Sequence, residues 1–121
     1  MTLDTSAIRF IALDLDGTLL RTDKSISDRT RDAIRNAEAD GYVPIVATAR
    51  PPRGAAALLI GFLSEAHTIY YSGALVILDG QTIHTQTIPV DAAYTIVDRF
   101  IQRAPHATAS LEINDRIYAC L

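Results

Sequence analysis

Short apolar runs alternate with amphipathic stretches along this chain, and each run stops abruptly at polar residues. Phe10 to Leu13 is nearly continuous in its hydrophobicity and is closed by Asp14, which predicts a strand buried on both faces of a parallel sheet. Ser27 reads as an N-cap with Asp28 in the first turn. Ala33, Ile34 and Ala37 then mark the inner face of a helix to Asp40, with Arg29, Arg31 and Arg35 on a solvated face and Gly41 as the C′ residue. Val43 to Ala47 is a second buried strand ending at Thr48-Ala49-Arg50. Pro51 and Pro52 suit a first helical turn, and the helix is expected to run to about Leu63. Thr68 to Tyr71 is a third strand, ended by Ser72-Gly73-Ala74. Leu75 to Leu78 and Thr82 to Ile88 flank Asp79-Gly80, a strong hairpin signal. Beyond Pro89, Asp91 is a candidate N-cap for a helix to Arg103, with Ala93, Ile96, Val97, Phe100 and Ile101 on one side. Ala109 to Ile113 and Arg116 to Cys120 flank Asn114-Asp115 as a further hairpin. Alternating strands and helices through residue 88 predict an α/β fold with a Rossmann-like, doubly wound parallel sheet. Residues 89–121 form a separate, smaller helix-and-hairpin unit.

Composition narrows the partners more than the fold. The 121 residues are 49% hydrophobic, enough for a real core, and the net charge of −3 argues against nucleic acid or an anionic membrane as a partner. The most apolar window, Ala55 to Leu63, is shorter than the roughly 20 residues a bilayer span takes. The amino terminus has neither a basic region nor a long apolar core, so no secretory signal is expected. A single cysteine, Cys120, cannot form an internal disulfide and fits a reducing compartment. A soluble, cytoplasmic protein is therefore expected. His67, His84 and His106 are too far apart in sequence to suggest a metal-ligand spacing.

Chemistry concentrates where the strands end. Asp14 and Asp16 are two apart, so in extended chain both carboxylates address one point beyond the strand's carboxyl end, where open α/β sheets bind ligands. Gly17 permits a sharp change of direction there. Two adjacent acids need a cation between them or a shared proton, and Mg²⁺ facing a phosphate would meet that need. Asp16-Gly17 as a mere hairpin turn is the plainer alternative. A calcium loop counted from Asp14 fails, because its glycine and glutamate positions hold Leu19 and Ser25. Thr48-Ala49-Arg50, between a strand and a helix, offers free N–H groups and a hydroxyl to an anion, or else a simple N-cap.

Asp14-Leu15-Asp16-Gly17-Thr18-Leu19 resembles the first motif of the haloacid dehalogenase superfamily in its phosphatase branch. Thr48-Ala49-Arg50 resembles the Thr-Gly-Arg second motif of the Cof-type members, with alanine in place of glycine. If that position needs a positive φ, the turn is expected to be altered at a cost of about 1 kcal/mol. Ser72-Gly73-Ala74 stands where these relatives carry Asn-Gly-Ala, near the substrate. The segment from Leu20 to Ile26 matches the family's flap, and a helix followed by a hairpin matches the start of its αββ cap. The resemblance implies residues 1–88 as the amino-terminal part of the core and 89–121 as the beginning of the cap.

For function it implies a Mg²⁺-dependent phosphatase acting on a small phosphorylated metabolite such as a sugar phosphate. Asp14 would be the nucleophile, forming an aspartyl-phosphate, and Asp16 the acid/base, its pKa raised by Asp14 and partial burial. Asp14 and the Asp16 backbone carbonyl would hold the metal. Gly17, Thr48, Ala49, Arg50, Ser72 and Gly73 would meet phosphate or substrate. The family's third-motif lysine and fourth-motif acids have no counterpart; Lys24, the lone lysine, sits in the flap segment. The strands carrying those motifs would lie beside Phe10–Asp14, whose bare edge is thus open to self-association. The chain is expected to be the amino-terminal portion of a longer protein. A catalytically incomplete fragment or phosphate-and-metal-binding module is the main alternative, and a phosphosugar mutase a weaker one.

Overall fold

The computed structural model describes residues 9–60 and 67–120. They fall into two compact units, Met1–Thr85 and Gln86–Leu121. The first carries a five-stranded sheet in the order β1-β2-β3-β4-β5: β1 is Phe10–Asp14, β2 Val43–Ala47, β3 His67–Tyr70, β4 Leu75–Leu78 and β5 Gln81–Thr85. β1, β2 and β3 run parallel, in the register Asp14 to Ala47 and Ala47 to Ile69, while β4 and β5 add antiparallel. The parallel strands therefore finish together, and the loops after Asp14, Ala47 and Tyr70 share one end of the sheet. With its crossover helices this is the mixed sheet of an incomplete Rossmann-like core.

Helix α1, Asp28–Ala39, starts where Ser27 Oγ accepts the Thr30 N–H at 3.1 Å. It stops where Gly41, at φ +88°, lets the Gly41 and Tyr42 N–H groups reach the Glu38 and Ala37 carbonyls. Its buried residue is Ile34, and it lies against β2. Helix α2, Pro52–Leu59, is shorter than the sequence suggests. Ile60 leaves the helix at ψ 125°, in keeping with the reduced helix preference of a β-branched residue. The expected continuation through residues 61–63 lies outside the described residues.

The core of this unit is Leu15, Leu19, Leu20, Ile26, Ile34, Val46, Ala55, Leu59 and Tyr70. Four of the nine come from the stretch just after β1. β1 itself is not buried on both faces: it pairs only with β2, and Phe10 is 57% exposed. An edge position, with no strand beyond it among the described residues, accounts for that. The hairpin between β4 and β5 turns on Asp79 and Gly80, both at positive φ (50° and 71°), the geometry of a primed turn. β5 ends at Thr85, so the expected extension to Ile88 is absent.

The second unit consists of α3, Val90–Arg103, and the antiparallel pair β6, Ala109–Ile113, and β7, Arg116–Cys120. Pro89, not Asp91, occupies the N-cap position, leaving Asp91 in the first turn where its charge suits the dipole. Asn114 and Asp115, at φ 50° and 58°, make the hairpin turn. α3 packs on β6.

Candidate active site

At the carboxyl ends of β1, β2 and β3 lies a cavity of about 390 Å³. Asp14 and Thr48 line it, with Ser72 and Gly73, and Ala47, Ala49 and Ile69 supply the remaining walls. Each reaches it because its strand ends there. Asp14 is the last residue of β1, and beyond it the chain turns back through Leu19 N–H to the Asp14 carbonyl (3.2 Å) and Leu20 N–H to the Leu15 carbonyl (2.8 Å). Leu15, Leu19 and Leu20 are buried under that turn while Asp16, Gly17 and Thr18 stay outside. Gly17 takes φ +81°, as its expected role in the turn requires. Among the described residues the Asp14 carboxylate has one weak partner, the Thr18 hydroxyl at 3.5 Å from Oδ2.

Thr48 is buried, 5% exposed. Its N–H extends the β2–β3 ladder to the Ile69 carbonyl at 2.8 Å, and its Oγ1 accepts the Arg50 N–H at 3.1 Å. A hydroxyl that accepts there still has its own proton to donate. Thr48 is not the helix N-cap; Pro51 is, without a side-chain bond. The cavity wall is accordingly the loop before α2, Thr48 and Ala49, and not the first helical turn. Ala49 is absent from the positive-φ residues, so replacing glycine there brings no left-handed strain.

The strain sits across the cavity. Tyr71, Ser72 and Gly73 take φ 51°, 55° and 107° in succession, and the first two are costly for residues with a Cβ. Two backbone hydrogen bonds hold them: Tyr71 N–H to the Arg50 carbonyl (3.3 Å) and Ser72 N–H to the Thr48 carbonyl (3.1 Å). The loops after β2 and β3 are thus fastened to each other, with Thr48 and Ser72 on the same cavity.

Asp16 departs from expectation. The chain is turning at Leu15, so the same-side rule for extended residues does not apply, and Asp16 is not among the cavity-lining residues. Its carboxylate is clasped by two cations. Arg50 donates from Nε to Oδ2 (2.6 Å) and from Nη2 to Oδ1 (2.8 Å), and Lys24 Nζ donates to Oδ1 at 2.9 Å. Arg50 is steadied from behind by Nη1 donating to the Gly54 carbonyl at 3.3 Å. The Arg50 hydrogen bonds first, and that of Lys24 next, hold the Asp16 carboxyl far below the usual carboxylate range. The expected upward shift is therefore reversed, because cations and not Asp14 or burial dominate its surroundings. Arg50, expected at the phosphate, is occupied with Asp16, and its own pKa is raised by that bond.

Lys24 is the participant that sequence spacing did not find. Its flap turn is closed by Lys24 N–H to the Arg21 carbonyl and Arg21 N–H to the Ser25 carbonyl, each 2.9 Å. The only signal in the sequence was one lysine in a chain otherwise supplied with arginine.

Fold and cavity together define an α/β core with a cavity at the carboxyl ends of its parallel strands, where open sheets of this class bind ligands. The chain belongs to the haloacid dehalogenase-like hydrolases, whose family model matches residues 11–120. It is 33% identical over 91 residues to 5-amino-6-(5-phospho-D-ribitylamino)uracil phosphatase YitU of Bacillus subtilis, covering 73% of this chain and 34% of that protein. Among solved structures, a haloacid dehalogenase-like hydrolase from B. subtilis superposes with a TM-score of 0.78 at 27% identity, covering 92% of this chain and 39% of that one. A phosphatase of the same superfamily from Bacteroides thetaiotaomicron shares the fold, with a TM-score of 0.77 at 24% identity over 98% of this chain and 44% of the other. The chain spans 27% to 39% of the length of the curated relatives it matches.

Proposed function

We propose that this chain carries the nucleophile half of a phosphomonoesterase acting on a small phosphorylated metabolite. The observation that carries this reading is the Asp14 carboxylate sharing a cavity with the Thr48 hydroxyl, whose proton is free to meet a phosphoryl oxygen. An Asp14 oxygen would bond to phosphorus as the ester P–O bond breaks; Asp16, ionised in its clasp, would first have to exchange Arg50 or Lys24 for a proton from solvent, which it would then give to the departing alkoxide. Water would then attack the aspartyl-phosphate, returning a proton to Asp16 and releasing phosphate. In-line displacement sets the leaving oxygen on the far side of phosphorus from Asp14, so an acid placed outside the cavity wall suits the part. Thr48, with the backbone of Ala49, would receive charge on the equatorial oxygens. Gly17, Ser72 and Gly73 border the path of the substrate, and Arg50 serves the site through Asp16.

A divalent cation fits part of this arrangement. Asp14 presents a carboxylate with one weak partner among the described residues, and the Asp16 backbone carbonyl would be its neighbour. No group of three or more acid, His or Cys ligands occurs among the described residues, in keeping with Mg²⁺, which keeps several waters. When bound, Mg²⁺ would neutralise charge between carboxylate and phosphate. YitU is named for a phosphorylated ribityl compound, which supports a sugar- or polyol-phosphate substrate here. Residues 1–88 would form part of the catalytic core and 89–121 the start of a cap, in a cytoplasmic protein. Among the described residues no helix is long and apolar enough to cross a membrane. Self-association through the β1 edge is a further expectation of this reading.

The test is Mg²⁺-dependent phosphate release from p-nitrophenyl phosphate and a sugar-phosphate panel, native chain beside Asp14→Asn. Loss on the order of a thousandfold or more in the variant is expected. A folded native chain that releases nothing would favour the second reading, a phosphate-and-metal-binding module or incomplete fragment. That reading is favoured by the clasp of Arg50 and Lys24 on Asp16, which leaves the proposed acid without a proton to give.

A further inference from the structure

We infer that Ser72 is a specificity-determining residue of the cavity: its hydroxyl recognises a hydroxyl on the alcohol part of the substrate. Polyol and sugar phosphates are thereby bound in preference to alkyl ones. The inference rests on the proposed binding of a phosphate ester between Asp14 and Thr48. Two side-chain hydroxyls line the cavity, those of Thr48 and Ser72. Thr48 Oγ1 already accepts the Arg50 N–H, and its proton serves the phosphoryl group. Ala47, Ala49 and Ile69 bring no polar side-chain atom to the walls. Ser72 is exposed to solvent, and among the described residues its hydroxyl has no hydrogen-bond partner. A hydroxyl donates one hydrogen bond and accepts two, which matches an alcohol, itself both donor and acceptor. An apolar substituent in that place would strip the Ser72 hydroxyl of water and leave it unpaired.

The backbone holds that hydroxyl in place. Ser72 sits at φ 55°, ψ 32°, next to Tyr71 at φ 51°. Asparagine and glycine enter this left-handed region at less cost than serine, and strain of this kind collects at functional sites. What secures it is the Ser72 N–H on the Thr48 carbonyl and the Tyr71 N–H on the Arg50 carbonyl. A single backbone bond thus ties the residue at the phosphoryl group to the residue that meets the rest of the ligand. Their spacing is set by the fold before any ligand arrives, which lowers the ordering cost of binding. The volume of about 390 Å³ lies at the small end of ligand pockets, leaving room beside a phosphate for a short carbon chain.

The test uses the 121-residue chain in native, Ser72→Ala and Ser72→Asn forms, with Mg²⁺ present. The probes are butylphosphonate and 3,4-dihydroxybutylphosphonate, whose P–C bonds resist hydrolysis, so binding is read whether or not the chain turns over. Kd is taken from the amide shifts of Thr48 and Gly73. The native chain is expected to bind the dihydroxy probe about fivefold more tightly, as one net neutral hydrogen bond provides. Ser72→Ala should bring that ratio to about one, and Ser72→Asn, whose amide also donates and accepts, should keep most of it. The amides of Val43–Ala47 stay in place in all three forms, marking an intact sheet. A native ratio near one, or a preference that survives Ser72→Ala, would overturn the proposal and leave the phosphate reading standing, since both probes would still bind. Failure of both probes and of inorganic phosphate to move the Thr48 amide would bring down the phosphate reading itself, and the role of Ser72 with it.

Discussion

The two compact units of this chain differ in what they bury. The unit bearing the cavity has nine buried hydrophobic residues in one cluster, several of them inaccessible to solvent. The unit formed by α3, β6 and β7 has none among its described residues, and Val90, Tyr94, Ile96, Phe100, Ile101, Ile113, Ile117 and Tyr118 are all exposed. Both have strong local signals, so the contrast is not one of secondary structure. It is one of size: a helix and a two-stranded hairpin cannot enclose a core of their own. Stability therefore resides in the sheet that carries Asp14 and Thr48, while the described apolar side chains of the second unit stay exposed.

The largest test of that contrast is Leu15→Ala. Leu15 is wholly buried and sits between Asp14 and Asp16, so its removal opens a cavity beneath the very turn that places both acids. A loss of about 2–5 kcal/mol is expected, read as a lower denaturation midpoint in urea with an unchanged slope. A change below about 1 kcal/mol would mean that the turn is not held by its leucines, and the view of the first unit as self-sufficient would fail.

A smaller effect concerns acid. The Asp16 carboxyl is depressed by Arg50 and Lys24, and that of Asp23 by the Ser25 hydroxyl and N–H. A group whose folded pKa lies below its unfolded value of 3.8 contributes stability that is complete above that value and is lost as pH falls through the folded one. The stability difference between native chain and Asp16→Asn is therefore expected to be constant from neutral pH down to about 4 and to shrink only below that. Denaturation midpoints from pH 7 to pH 2 would show it. A difference already fading between pH 6 and 5 would mean that the clasp does not hold Asp16 ionised.

How much of this was legible in the sequence follows from which signals are local. The strands, both Asx-containing hairpins and the Ser27 cap depend on neighbours in the chain, and they stand where the pattern placed them to within a residue, except that β5 stops at Thr85, three residues short of the expected Ile88. The family followed from Asp14–Leu19 and Thr48–Arg50, whose spacing is a local matter too. What the sequence did not yield is set by contacts between distant residues. Arg50 and Asp16 are 34 apart, and nothing in either neighbourhood announces a fork onto that carboxylate. The direction of the Asp16 pKa shift was missed for the same reason. Helix α2 was overextended because Ala55 to Leu59 and the apolar residues after it look alike to a periodicity argument, while only the backbone at Ile60 marks the stop.

The smallest effect is the most discriminating for the comparison. Phe100 is 39% accessible on the side of α3 it shares with Ile96 and Ile101, which are more exposed still. If no packing within this chain depends on that face, Phe100→Ser should shift the denaturation midpoint by no more than about 0.5 kcal/mol, although the same change in a packed core would cost several times as much. Solubility should rise at the same time, since a contiguous apolar patch on an exposed helix promotes association. A loss of 2 kcal/mol or more, on the order of a core truncation, would show that α3 is packed by something in the 121 residues. The contrast between the units would then be one of degree only.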